Sequence, residues 1–577
     1  MPFNKLPSIK IKGHDCLLGW DQIGSELNHK IPKDTQASFT IAVEFYQGVS
    51  DKVIDRLSEV IKHDHLVLAS EAMKTPKEVE ALTYPDVTDD RIFGYLSRLN
   101  IEDFLDQEKA SKISASIDEN PGVTLIVGTG AALLSDSPDI VIYTDMARWE
   151  IQMRMRRQEI NNIGLKNAHE PFETQYKRGF FVDWRACDRL KKRLRSAIDY
   201  WLDTNSDDPK MLTAEAYEAA IDQAVHQPFS VVPFFDPGPW GGQWMREKFD
   251  IETDKENLAW CFNCVPEENS LLIQFGDVVF ETPSINLVFF HPEGLMGSDV
   301  FARFGDEFPI RFDFLDTMDG GNLSLQVHPL TGYIQEKFGM HYTQDESYYL
   351  LDAKPGTKVY LGLKKGVDKE KMFADLRDAQ QEGNTFDADK YTESWDAKKH
   401  DHFSIPAGTI HCSGKDSMVL EISATPYIFT FKLWDWGRVG MDGKPRPINI
   451  NHGEQVIQWD RDKDWVEREL IDQIEEIATG DGWREERTGL HHTEFIETRR
   501  HWFTKKVLHE TKATVNVLNL VEGDQAIVES PSEEFEPFII NYAETFVIPA
   551  NIKSYTIRPY GESEGKEIAT LKAYVRA

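Results

Sequence analysis

Apolar positions follow one rhythm up to about residue 225 and another beyond it. In the first part, near-continuous apolar runs alternate with longer segments that are apolar on one face only. Phe39–Phe45, Leu66–Ala69, Val123–Val127, Ile140–Tyr143 and Phe180–Val182 read as strands, because a strand buried on both faces loses the in/out alternation. Lys52–Ile61, Phe93–Phe104, Ala147–Arg157, Cys187–Leu202 and Ala214–Val225 read as helices. This alternation predicts a parallel sheet with helices on its faces. The polar stretch Asp203–Pro209 leads into the last of these helices and marks a boundary.

Beyond it the apolar runs become short and are broken by Gly, Pro and Asn. Phe229–Phe235, Leu271–Phe275, Asn286–Phe290, Leu323–Val327, Tyr348–Leu351, Val359–Leu363, Met418–Ile422 and Ile428–Leu433 are expected strands. Many short strands with turn signals predict a sandwich or barrel of jelly-roll type, with Met372–Gln381 as an inserted helix. An acidic helical linker, Asp464–Thr479, then precedes a second β-rich set: Phe503–Val507, Thr514–Leu520, Phe538–Asn541, Thr545–Pro549, Tyr555–Ile557 and Thr570–Val575. The expected organisation is multidomain: an N-terminal α/β parallel-sheet domain over 1–225, a metal-binding barrel over 226–460, and a linker helix with a second, metal-free barrel of structural role over 461–577.

Composition narrows the partners. The 577 residues suffice for several cores, and 41% hydrophobic with 28% charged residues is the profile of an ordinary globular protein. With 64 basic and 97 acidic side chains the formal charge is −33, so the average surface repels phosphate backbones and anionic headgroups, and neither nucleic acid nor membrane is an expected partner. The first residues hold no apolar leader and no run of about 18 apolar residues occurs, so a cytoplasmic location is the expectation. Five cysteines fit a reducing compartment, and the lone CxxC pair, Cys261 and Cys264, is expected in a core.

Two loops at strand ends could face a ligand in the first domain. Gln47–Lys52 joins a strand to a helix but lacks the glycine and lysine spacing that lets backbone amides wrap a phosphate. Gly128-Thr-Gly130 has the glycines but no lysine. The segment Asp145–Arg157 resembles the strand-to-arginine-helix segment of uridine-kinase-like P-loop proteins. The resemblance implies that Arg148, Arg154, Arg156 and Arg157 contact phosphates, while the plain alternative makes them a solvated helix face. A nucleotide at this domain, with phosphate transfer lost, is the corresponding expectation.

The chemistry concentrates between Asn322 and His411. Gln326 and His328 are two apart, so a strand sets both on one face, and Pro406-Ala-Gly408-Thr-Ile-His411 delivers a histidine just past a tight turn. With Glu346 from a neighbouring strand, two imidazoles, a carboxylate and an amide can surround one divalent metal and leave a position open.

Leu323–Pro329, Glu346, Pro406–His411, Leu433-Trp-Asp-Trp-Gly-Arg-Val439 with Gly443-Lys-Pro-Arg446, and the upstream Pro239-Trp-Gly-Gly242 resemble the signatures of the class I, zinc-dependent mannose-6-phosphate isomerases of the cupin superfamily. The likeness spans about 229 to 460 and continues more faintly beyond. It implies cupin (jelly-roll) barrels with helical insertions, one Zn2+ per chain on Gln326, His328, Glu346 and His411, and Arg438 as the catalytic residue facing the substrate. The implied reaction is aldose–ketose isomerisation of a sugar phosphate, mannose 6-phosphate to fructose 6-phosphate, by proton transfer through an enediolate. Many members carry a Lys where Gln344 stands and another near Asp313, so this chain lacks two cations beside the metal. That departure keeps a second reading open: a metal-bound sugar or nucleotide sensor without catalysis.

Overall fold

The computed structural model describes residues 3–33, 38–382, 385–424, 428–439, 446, 448–471, 473–489, 491–492 and 494–576. They divide into two compact units: Ser8–Gln223 with Ser270–Phe290, and Met1–Pro7 with Ala224–Asn269 and His291–Ala577. Ser270–Phe290, inside the stretch read as the metal-binding barrel, therefore belongs to the α/β unit.

The α/β unit is built on the parallel strands Ser38–Phe45, His65–Leu68, Gly122–Gly128, Ile140–Asp145 and Tyr200–Asp203. Across the sheet they run second, third, first, fourth, fifth, and Lys210–Thr213 and Leu17–Leu18 close that last edge antiparallel. Ile41, Val43, Leu125, Ile126 and Ile142 are buried within it, as continuous apolar runs require.

Several expected elements differ. Only Ile101–Phe104 of the expected helix Phe93–Phe104 is helical, and Pro76–Val87 and Gln107–Glu119 form the helices instead. Their starts are fixed by side chains: a capping box of Thr75 with Glu78, and Asp106 accepting the amides of Glu108 and Lys109. Phe180–Val182 is no strand; it lies in the π-helical turn Gly179–Asp183 that joins helices Phe172–Arg178 and Trp184–Leu194. A fully buried helical turn is apolar on every side, so periodicity cannot tell it from a buried strand. The expected helix Cys187–Leu202 ends at Leu194, because Tyr200–Asp203 pairs into the sheet. Asn286–Phe290 is likewise helical, within Ile285–Phe290. Buried Lys191 bonds both Asp145 oxygens at 3.0 Å and Asn286 Oδ1 at 2.9 Å, which ties that helix to the end of the Ile140–Asp145 strand.

The other unit contains two eight-stranded antiparallel barrels in tandem. The first comprises Arg311–Asp316, Leu325–Val327, Glu346–Ala353, Lys358–Leu363, Thr392–Asp396, His402–Ile405, His411–Ser413 and Ser417–Ser423. One sheet holds its sixth, third, eighth and first strands in that order, and the facing sheet its fifth, fourth, seventh and second. Consecutive strands that change sheet in this way make a jelly roll. Trp260–Cys264 and Phe234–Asp236 extend one sheet and Phe431–Trp434 the other; Lys369–Glu382 is the inserted helix. Cys261 and Cys264 are buried.

Ile496–Phe503, Val507–Glu510, Asn516–Glu522, Gln525–Glu529, Phe538–Asn541, Thr545–Ile548, Ser554–Pro559 and Ile568–Val575 repeat the same strand order in both sheets. The linker is helical only over Lys463–Glu469. Glu475–Gly480, expected within that helix, instead pairs with Trp483–Thr488 as a hairpin on the second barrel.

Candidate metal centre

The three expected charged or imidazole ligands meet at strand starts and ends. Gln326 and His411 are directly opposite across two antiparallel strands, so their side chains share a face, and His328 follows the same strand as Gln326. Glu346 opens the third strand of the facing sheet. His411 Nε2 lies 2.7 Å from Glu346 Oε1 and His328 Nε2 3.0 Å from Glu346 Oε2, with all three side chains fully buried. The Gln326 amide is 3.2 Å from His411 Nε2. The sequence turn that delivers His411 is tied to the other imidazole, since the Gly408 amide donates to the His328 carbonyl at 3.0 Å.

The hydrogen bonds around the rings decide which nitrogens face inward. His328 Nδ1 lies 3.1 Å from the Phe429 carbonyl and His411 Nδ1 2.9 Å from the Thr409 carbonyl. A carbonyl only accepts, so each Nδ1 carries a hydrogen and each Nε2 of a neutral ring presents a lone pair to Glu346. Buried lone pairs facing a carboxylate need a cation between them, and among the described residues His328 Nε2 and Glu346 Oε1 have no hydrogen-bond partner. His328, Glu346 and His411 form the one group of three or more such side chains among the described residues that could hold a metal ion. Burial opposes ionisation of Glu346, but His328 and His411 outweigh it and hold the carboxyl well below the usual range. Burial alone would depress His328, and Glu346 lifts it above its ordinary value; a proton and a metal compete for the same lone pair.

The wall beside Glu346 is acidic. Gln344 donates to Glu346 at 2.7 Å and approaches Glu421 at 3.4 Å, and Glu421 sits directly across from Asp313. Burial, then Glu346, raises Asp313 well above the carboxylate range; burial, Asp313 and Glu346 do the same for Glu421. Arg311, its guanidinium held by Glu267, only partly offsets the rise of Asp313.

Two curated proteins of similar sequence are mannose-6-phosphate isomerases. The one from Streptococcus mutans is 28% identical over 220 residues, 38% of this chain and 64% of that protein. The one from Bacillus subtilis is 23% identical over 233 residues, 40% of this chain and 68% of that protein. The chain thus spans about two thirds of the length of these relatives. Among solved structures, a mannose 6-phosphate isomerase from Bacillus subtilis is 18% identical and covers 60% of this chain and 99% of its own, with a TM-score of 0.48. A phosphomannose isomerase from Salmonella typhimurium is 12% identical at 60% and 99% coverage, with a TM-score of 0.46. Residues 19–226 match the model of a domain of unknown function, DUF8485.

Arg438, expected to face a substrate, bonds Asp435 through its Nη2 at 2.6 Å to Oδ1 and through its Nε at 3.1 Å to the carbonyl. Arg446 takes the other Asp435 oxygen at 2.8 Å; residues 443–445 of that motif lie outside the described residues. Lys432 escaped the sequence reading. It is directly opposite Gln326 on the strand Phe431–Trp434, so it points the same way as Gln326 and His411. Burial pushes it down to about 8, with Arg446 and Arg438 repelling and Asp435 offsetting. The signal that could have found it is the alternation Lys432, Trp434 following the Gln-x-His strand.

In the α/β unit two of the four arginines, Arg148 and Arg154, are buried, while Arg156 and Arg157 are exposed. Arg148 is buried on Asp188 at 2.8 Å, and Arg154 is buried on the Gly48 carbonyl at 3.0 Å, the Thr204 carbonyl at 2.6 Å and Glu150 at 2.9 Å. Arg157 pairs with Glu150 and Glu159, and Arg156 lies over the Trp149 and Phe172 rings. The Gln47–Lys52 loop is fixed by its own side chains, with Gln47 bonded to Trp184 and the Asn161 carbonyl. The Gly130 amide is donated to buried Glu44. These contacts lend no support to a nucleotide phosphate at either loop.

Proposed function

We propose that the first barrel is a zinc-dependent aldose–ketose isomerase of a sugar phosphate, with mannose 6-phosphate and fructose 6-phosphate as the pair. The observation that carries this reading is the convergence of two imidazole Nε2 lone pairs and the Glu346 carboxylate on one buried point, with Gln326 beside it. Two nitrogens and two oxygens suit zinc and leave a coordination position open. Gln326, His328, Glu346 and His411 would hold the ion, which supplies Lewis-acid polarisation of a sugar carbonyl.

The remaining chemistry falls to the surrounding side chains. Asp313 and Glu421 face each other and are both raised, so the pair could share one proton, the ionised member taking a proton from one sugar carbon and returning it to its neighbour. Lys432, Arg438 and Arg446 form the cationic group about Asp435 that suits a phosphate or a developing oxyanion. Sequence similarity to isomerases supports the reaction class.

Metal-replete protein given mannose 6-phosphate is expected to produce fructose 6-phosphate, and His411→Ala to abolish turnover in a folded protein. Failure of wild type to turn over a broad panel of phosphorylated sugars would overturn the reading. Gln344 and Asp313, standing where the resembled family often carries lysine, favour one alternative, a metal-bound sugar sensor. Thermal stabilisation by a sugar without turnover would identify it.

A further inference from the structure

We infer that the C-terminal barrel holds a binding site for a small oxyanion, phosphate or carboxylate, at the position that corresponds to the metal centre of the first barrel.

The two barrels share one strand order, so their registers can be laid side by side. In the first, the third strand sets Tyr348 opposite Glu421 on the eighth, and Glu421 lies opposite Asp313 on the first strand. In the second, Leu518 on the third strand faces Lys572 on the eighth, and Lys572 faces Arg499 on the first. Lys572 therefore stands where Glu421 stands, and Arg499 where Asp313 stands. The metal ligand Glu346 opens the third strand of its barrel, and Asn516 opens the third strand here. His509 and Tyr555, opposite each other on the second and seventh strands, occupy the places of Gln326 and His411, and the Tyr555 hydroxyl reaches Asn516 at 3.1 Å. The ligand carboxylate has become an amide and the carboxyl pair a pair of cations. A wall that suits a metal and protons has its charge inverted.

The position is hollow. A cavity of about 330 Å³ is lined by Arg499, His501, His509 and Lys572, with the carboxylates Glu485 and Glu510 also in its wall. Polar groups in its wall lack partners: His501 Nδ1 and His509 Nε2 have no hydrogen-bond partner among the described residues, though these side chains are 4% and 3% exposed. An unpartnered polar atom at this depth costs stability unless something bonds it. Like charges directly opposite on adjacent strands are also unfavourable, and Lys572 is only 7% exposed opposite Arg499. Glu485 answers part of this charge, lying 3.3 Å from His501 Nε2 and 3.5 Å from Arg499, and leaves His501 Nδ1 and His509 Nε2 unbonded. Glu497 holds Arg499 from outside the cavity.

Lys512 adds a third cation at the rim. Burial pushes Lys572 down to about 8; Glu485 partly offsets this, and Arg499 and Lys512 add repulsion. Burial, reinforced by His501 and Lys572, holds His509 well below its ordinary value, so its ring is neutral and offers one N–H. An oxyanion seated between Lys572, Arg499 and the imidazoles would answer all of these groups at once. The inference does not depend on the isomerase reading.

Calorimetric titration of the full, metal-replete chain with inorganic phosphate and, separately, with acetate tests it and shows which oxyanion fits. Binding is expected for wild type, counted apart from any phosphate site at the Lys432 group of the first barrel; the site assigned here is expected to lose at least about tenfold in affinity in Lys572→Met and to persist in Lys432→Met, since one charge-assisted hydrogen bond is worth roughly that factor. Metal content should be unchanged in Lys572→Met, and its apo thermal midpoint should equal or exceed that of wild type, because a repelled buried cation is gone. If Lys572→Met does not fold, His509→Phe takes its place with the same expectation. Undetectable binding of either oxyanion to wild type, wild-type affinity in Lys572→Met, or loss only in Lys432→Met would overturn the inference.

Discussion

At the scale of single residues, the candidate metal centre depends on hydrogen bonds one step removed from its ligand atoms. The Phe429 and Thr409 carbonyls fix the tautomers of His328 and His411 and so aim both lone pairs. His328→Ala removes one donor and leaves Glu346 with one imidazole; elemental analysis should show metal content falling well below one per chain. Another histidine reports on pH. His402 is buried beside Ser347, and burial, with repulsion from Arg500, takes it down to about 3 from 6.5. It is neutral in the folded protein while the unfolded chain takes up a proton below 6.5. Its stabilising contribution is therefore complete above pH 6.5 and is lost progressively as the pH falls toward 3, by on the order of a few kcal/mol. Thermal midpoints across that range should fall more gently for His402→Gln than for wild type.

At the scale of elements, turns and buried ion pairs position the chemistry. Gly408 has φ +86, and a Cβ there would lie 2.8 Å from Gln458, 2.9 Å from Leu330 and 2.9 Å from the Val456 carbonyl. Gly408→Ala should cost about 1–3 kcal/mol in chemical denaturation and lower metal occupancy, since the same turn carries His411 and bonds the His328 backbone. In the α/β unit, Lys191→Ala would leave Asp145 buried without its cation and release the bond to Asn286. A loss of about 3–5 kcal/mol in that unit's unfolding transition is expected. Elements were legible wherever a local rule was decisive: Ile140–Asp145 by its unbroken apolar run, Lys369–Glu382 by its helical face. Phe180–Val182 and Asn286–Phe290 were misread because helices buried on all sides carry no stripe.

At the scale of the whole molecule, a bound metal would be coupled to the fold, because the four candidate ligands come from three strands of two facing sheets. Chelation should lower the thermal midpoint of the barrel unit, and added zinc should restore it in proportion to the logarithm of its concentration, as read by calorimetry. The sequence by itself determined the two textures of the chain and the short-stranded β character of the second, and it singled out Gln326, His328, Glu346 and His411 as candidate ligands, because strand period and turn chemistry are local and these donors lie in short motifs. It could not place Lys432 beside them, spend Arg148 and Arg154 on structural carbonyls and carboxylates, or assign Ser270–Phe290 to the α/β unit. Nor could it reveal that Lys572 and Arg499 stand in the second barrel where Glu421 and Asp313 stand in the first. Cross-strand register and burial decide those relations, and both arise only when segments far apart in sequence pack together.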